Sequence, residues 1–182
     1  MLEELEMTVT INGSAGVTTN SGAVYDSLQR ATAVASTSGT AIEFTSIPSW
    51  VRRITMMLTG VSTNGTSKIL VQLGSTTFTT TGYLGAANQT ANAGTTTGAV
   101  NSAGFFLDDT ASAAAIRYGN IVLTSITGNT WVESATISRS DSSIVSISSG
   151  SIALSGTLDR VRITTVNGTD TFDAGTINII YE

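Results

Sequence analysis

The chain has no cysteine and no histidine. Without cysteine there are no disulfides, no zinc-thiolate centres and no thiol chemistry. Without histidine, the usual general base near neutral pH and the commonest transition-metal ligand are both missing. A Ser-His-Asp or Cys-His site is therefore excluded. Proline occurs once, at Pro48, and charged residues fill only 12% of 182 positions, against about 25% in ordinary domains. The net charge is −5, and the eight basic residues are scattered, with no run longer than Arg52-Arg53. Both features disfavour nucleic acid or an anionic membrane as partner. No stretch approaches the ~20 apolar residues of a membrane-inserted helix. The opening MLEELEMTVT lacks the basic and apolar regions of a signal peptide.

What remains is rich in small polar and β-branched residues. Serine and threonine together make up roughly 30% of the chain, well above ordinary usage. Thr, Val and Ile with 18 glycines favour strands and turns over helices. Hydrophobic residues at 41% and a modest net charge exclude a disordered chain.

Strict alternation of apolar and polar residues predicts half-buried strands along most of the length. Ile54, Met56 and Leu58 share one face of one run; Ile69, Val71 and Leu73 share one face of the next, and Asn64-Gly65 between them predicts a hairpin turn. The ending LDRVRITTVNGTDTFDAGTINIIYE repeats the pattern. Val161 and Ile163 share a face, Ile177, Ile179 and Tyr181 share another, and Asn167-Gly168 lies between the runs as a second predicted hairpin turn. Further strands are expected over 117–126, 130–138, 143–147 and 151–154, with Ser149-Gly150 as a tight turn. Residues 23–30 read as a helical turn or two. The segment 75–102, dominated by Thr, Gly, Ala and Asn, reads as a long loop.

Candidate chemistry is thin. Paired carboxylates are all that a glycosidase needs, but no spacing among Glu43, Asp108, Asp109, Glu133, Asp141, Asp159, Asp170 and Asp173 singles out a pair. Asn167, Asp170 and Asp173 recur every third residue around a turn but lack the spacing and terminal Glu of a twelve-residue calcium loop. They read as turn formers, and no metal or cofactor is expected. Arg160 and Arg162 project from one strand face and are expected to pair with carboxylates across the sheet. Trp50 and Trp131 are aromatic enough to stack on sugars, with burial as the default.

Three segments, IPSWVRRITMMLTGVSTNGTSKILVQLGS (47–75), GNTWVESATISRSD (128–141) and LSGTLDRVRITTVNGTDTFDAGTINIIYE (154–182), carry a resemblance. Together they resemble the distal module of tail fibres and related structural proteins of tailed bacteriophages. The resemblance implies a β-sandwich that assembles as a homotrimer on a virion and touches the host surface. It brings no catalytic motif.

The expected architecture is all-β: a jelly-roll-like antiparallel sandwich of about ten short strands over residues 38–182. Residues 1–37 form an N-terminal attachment and oligomerisation segment. The expected function is that of a non-enzymatic virion structural protein, a trimeric tail-fibre or fibre-tip subunit assembled in the bacterial cytoplasm. A head decoration or tail adaptor protein is the alternative, and a glycan depolymerase the third reading. Expected partners are other copies of the chain, other virion proteins and a host surface glycan or protein. Contact with that receptor is placed first on Tyr83, Asn88, Gln89 and Asn92 in the long polar segment.

Overall fold

A computed structural model describes residues 28–91, 94–110 and 112–182 in full, and the backbone of three strands before them. Those three, β1 (Val9–Asn12), β2 (Gly16–Thr19) and β3 (Val24–Tyr25), form a small antiparallel sheet. The helical turn expected over 23–30 is not there: Val24–Tyr25 and β4 (Gln29–Arg30) are strands, and no α-helix occurs among the described residues. Their backbone groups find partners on neighbouring strands, which a two-turn helix with one weak apolar side cannot match.

The rest is an all-β antiparallel sandwich, as expected. One sheet of nine strands runs in the order β11 (Thr96–Val100), β10 (Leu84–Thr90), β15 (Ile144–Ala153), β14 (Thr130–Arg139), β13 (Arg117–Thr127), β7 (Arg53–Thr63), β17 (Phe172–Tyr181), β4, with β5 (Val34–Ala35) also on β17. The second sheet has five strands: β12 (Phe105–Phe106), β8 (Ile69–Ser75), β16 (Arg160–Thr165) and β6 (Ala41–Thr45), with β9 (Thr77–Phe78) on β8. Because β4 and β5 pair with β17, the sandwich begins earlier than the expected boundary at residue 38. Ser36 is fully buried there and donates its hydroxyl to the Ala174 carbonyl at 2.8 Å.

The core lies between the sheets. Alternate residues of the wide sheet, including Ile54, Met56, Ile121, Leu123, Ile177 and Ile179, meet Ile69, Val71, Leu73, Val161 and Ile163 of the narrow one. All of these are at most 1% exposed, as the alternation predicts. A smaller cluster of Leu70, Ala87 and Phe106 ties the β10–β11 pair to β8 and β12.

Neither predicted Asn-Gly hairpin forms. β7 lies in the wide sheet and β8 in the narrow one, and the same holds for β17 and β16. Each Asn-Gly-Thr segment is an arch that carries the chain from one sheet to the other. The two arches stand side by side, because β7 pairs with β17 and β8 with β16. They are bonded to each other: the Asn64 N–H donates to the Thr171 carbonyl at 2.9 Å, the Thr171 N–H to Asn64 Oδ1 at 2.9 Å, and the Ser67 N–H to Asp170 Oδ2 at 2.8 Å. The Asn167 side chain donates to Asp170 Oδ1 at 2.6 Å. Asp170 thus occupies the space that a Cβ at residue 65 would take, so any side chain there must displace the Asp170 carboxylate.

Two further turn assignments give way for the same kind of reason. Ser149-Gly150 is no turn; it lies inside the continuous strand β15. Gly150 serves close packing instead, since a Cβ there would meet the Phe105 ring at 2.9 Å and the Leu84 carbonyl oxygen at 2.5 Å. The segment 75–102, expected as a loop, supplies β10 and β11.

Candidate functional site

Tyr83 does not point to solvent. It is 2% exposed, its ring stands edge-on to Phe105 with centroids 4.8 Å apart, and its hydroxyl accepts the Leu73 N–H at 2.7 Å and donates to the Thr79 carbonyl at 3.1 Å. Burial pushes its pKa up to about 12, against a lowering by the Leu73 hydrogen bond. Its role as a receptor contact is therefore corrected to that of a core residue. Asn88 and Gln89 sit on β10 instead of in a loop. Asn88 is exposed, whereas Gln89 is half-buried and accepts the Thr110 hydroxyl at 2.9 Å. Asn92 lies outside the described residues.

Strand registration places the outward residues of the wide sheet in transverse rows. Val100, Ala86, Ser149, Ser134, Val122, Thr55 and Ile180 stand opposite one another across seven strands. The next row is Gly98, Asn88, Ile147, Thr136, Asn120, Met57 and Asn178. From β11 to β13 no outward residue is charged. Six large apolar side chains are exposed from β11 to β13: Val100 at 78%, Leu84 at 71%, Ile126 at 62%, Ile147 at 61%, Val145 at 49% and Tyr118 at 38%. The face ends at β11, which has no further strand beside it among the described residues and whose sequence TTGAV offers neither lysine nor proline to block pairing along that edge.

Two ion pairs lie on the outer side of the narrow sheet. Arg162 pairs with Glu43 at 3.3 Å across the strand, donates to Gln72 at 2.7 Å and lies 4.2 Å from the centre of the Phe78 ring. Arg160 pairs with its neighbour Asp159 at 2.7 Å, and that hydrogen bond holds the Asp159 carboxyl below its usual range. The expected pairing across the sheet holds for Arg162, through Glu43, whereas Arg160 pairs with its chain neighbour Asp159. Lys68 pairs with Asp109, and Arg139 with Asp141. The Arg139 hydrogen bond lowers the Asp141 pKa to about 2.

The carboxylates from residue 28 onward have structural partners. Asp108 and Arg117 form a fully buried pair at 2.5 Å, and Asp173 accepts the Ser62 hydroxyl. Glu133 is 3% exposed inside the sandwich, accepts the Ser148 hydroxyl at 2.7 Å, and has no partner for Oε2 among the described residues. Burial raises its pKa to about 7, with Ser148 pulling the other way. No group of three potential metal ligands occurs among the described residues.

A cleft of about 250 Å³ opens at one end of the sandwich. The Pro48 corner, the β13–β14 turn and the segment before β16 meet there. Ser49, Arg52, Thr127, Asn129 and Thr157 line it, with Trp131 at its floor. Trp131 is 3% exposed, whereas Trp50 is 41% exposed and tilts against Tyr181 with ring centroids 5.9 Å apart. The cleft residues share no motif; only folding brings the three segments together.

No protein-family model matches the sequence, and no curated protein matches it. Among solved structures, the structure of infectious bursal disease virus Gx strain aligns at 9% identity with a TM-score of 0.18. That alignment covers 86% of this chain and 39% of that one, and a score so low is no argument for a shared fold or function.

Proposed function

We propose that this chain is a non-enzymatic structural and attachment module of a tailed-phage virion, and that it assembles with copies of itself through the uncharged face of its wide sheet. The sequence resemblance supports the virion setting and the number three. The observation that carries self-assembly is the face from β11 to β13. Ordinary protein surfaces are about 25–35% charged, and depletion of charge marks the centres of interfaces. Here a five-strand face has no outward charge and exposes Val100 and Ile147 in adjacent rows. Each carboxylate from residue 28 onward has at least one structural partner, which supports a module that binds instead of one that cleaves.

Lysine placed at both Val100 and Ile147 tests the face. Both positions are exposed, so the fold tolerates the change, and two buried like charges at a copy–copy contact are costly. The expected result is a single-chain mass with an unchanged circular dichroism spectrum. An unaltered oligomer would remove this face from the assembly. Gold-labelled antibody on purified particles addresses the setting: label at the tail end supports a fibre subunit, and label over the head supports the decoration alternative.

A further inference from the structure

The eight basic residues of the chain are Arg30, Arg52, Arg53, Lys68, Arg117, Arg139, Arg160 and Arg162, and the last six of these are ion-paired. Arg52 has no carboxylate within ion-pair distance among the described residues, and it is the charged group of the cleft over Trp131. Its guanidinium is not loose. Nη1 donates to the Ser49 carbonyl at 2.9 Å and to the Val51 carbonyl at 3.0 Å. Its backbone is fixed as well, the N–H donating to the Glu182 carbonyl at 2.7 Å and the carbonyl accepting the Ser125 N–H at 2.8 Å. Two carbonyls on Nη1 set the plane of the group, and its Nε–Nη2 edge has no partner among the described residues. That edge is the side-on fork that takes a carboxylate with two parallel hydrogen bonds.

We infer that this cleft binds one carboxylate-bearing sugar ring, a uronate unit of a surface glycan, with Arg52 on the carboxylate. The inference deepens the attachment reading above and rests on it for its biological setting. The ligand's features follow from the cleft. One fixed cation among neutral side chains suits a single negative charge better than a phosphate, which favours several cationic donors. Ser49, Thr127, Thr157 and Asn129 line the rest of the cleft, and neutral hydroxyl and amide side chains suit a ligand that itself carries hydroxyls. The volume of about 250 Å³ lies just below the ~300 Å³ at which pockets for larger small molecules begin, so one ring fits and a long chain does not.

The test is a titration of the intact protein, followed by amide chemical shifts, with methyl glucuronate, its uncharged uronamide, methyl glucoside and inorganic phosphate. The expected result is a set of shifts confined to residues 49–52, 125–129 and 157–158 on adding the uronate. Binding of the uronamide and the glucoside should be weaker by at least about tenfold, the loss of one charge-assisted hydrogen-bonding pair. Arg52→Gln should reduce uronate binding to the uronamide level. The uronamide comparison needs no variant, so it decides the matter even if Arg52→Gln folds poorly. Absence of shifts at these positions, equal binding of charged and uncharged sugars, or preference for phosphate would overturn the assignment. None of these outcomes bears on self-assembly, which is read from mass.

Discussion

Burying Glu133 makes the stability of this sandwich fall as pH rises. The carboxyl titrates near 4.5 when exposed and at about 7 in the fold, because burial penalises its charged form more than the Ser148 hydroxyl favours it. Below pH 4.5 it is protonated in both states and costs nothing. Between 4.5 and 7 the unfolded chain releases the proton while the folded chain keeps it, so stability declines by about 1.4 kcal/mol per pH unit. Above 7 the loss is complete, at about 3 kcal/mol. Glu133→Gln keeps the shape and an acceptor for the Ser148 hydroxyl but cannot ionise. In urea unfolding, the variant should differ little from the parent at pH 4.5 and be more stable by about 3 kcal/mol at pH 8.5. For a chain of this size that corresponds to roughly 6–12 °C in melting temperature. Asp141 and Asp159, whose carboxyls are held low, give the opposite slope at acid pH, and they cancel because both proteins carry them. A stability difference that does not change between pH 4.5 and 8.5 would refute the reasoning.

The buried Asp108–Arg117 pair should behave asymmetrically. Asp108→Ala strands a guanidinium in the core and is expected to cost about 3–5 kcal/mol, whereas Asp108→Val with Arg117→Met should recover most of that, both read by urea unfolding. Gly65→Ala should cost about 1–3 kcal/mol through the clash with Asp170. In a double-mutant cycle with Asp170→Ala, the two effects should be clearly non-additive. Tyr83→Phe should destabilise by about 1–3 kcal/mol by orphaning the buried Leu73 N–H, and should leave host adsorption unchanged, measured as bound protein per cell.

The strands of this protein are readable from alternation because each has one face on a single core. Val161, Ile163, Ile177 and Ile179 fall where the pattern places them. Which strands pair is not readable in the same way. An Asn-Gly turn favours a hairpin locally, yet at Asn64 and Asn167 the arch-to-arch hydrogen bonds and Asp170 outweigh that preference, and they join residues about a hundred positions apart. The hairpin of β10 and β11 was hidden because LGAANQT and TTGAV carry too few large apolar residues to alternate visibly. Pairing with β15 holds β10 in place instead. Tyr83 read as an exposed aromatic because its neighbours are polar; its actual partners, Leu73 and Phe105, lie on other strands. The uncharged face had a trace in the sequence, the low overall charge, but only the register shows which face lacks charge. The Arg52 cleft had no linear signal beyond an isolated Arg-Arg pair after the one proline.

The central claim is that the uncharged face of the wide sheet is covered by copies of the same chain. Sedimentation equilibrium of the intact protein at micromolar concentration tests it most directly. The account predicts a mass three times that of the 18.7 kDa chain. A mass of one chain across the accessible concentration range would contradict it.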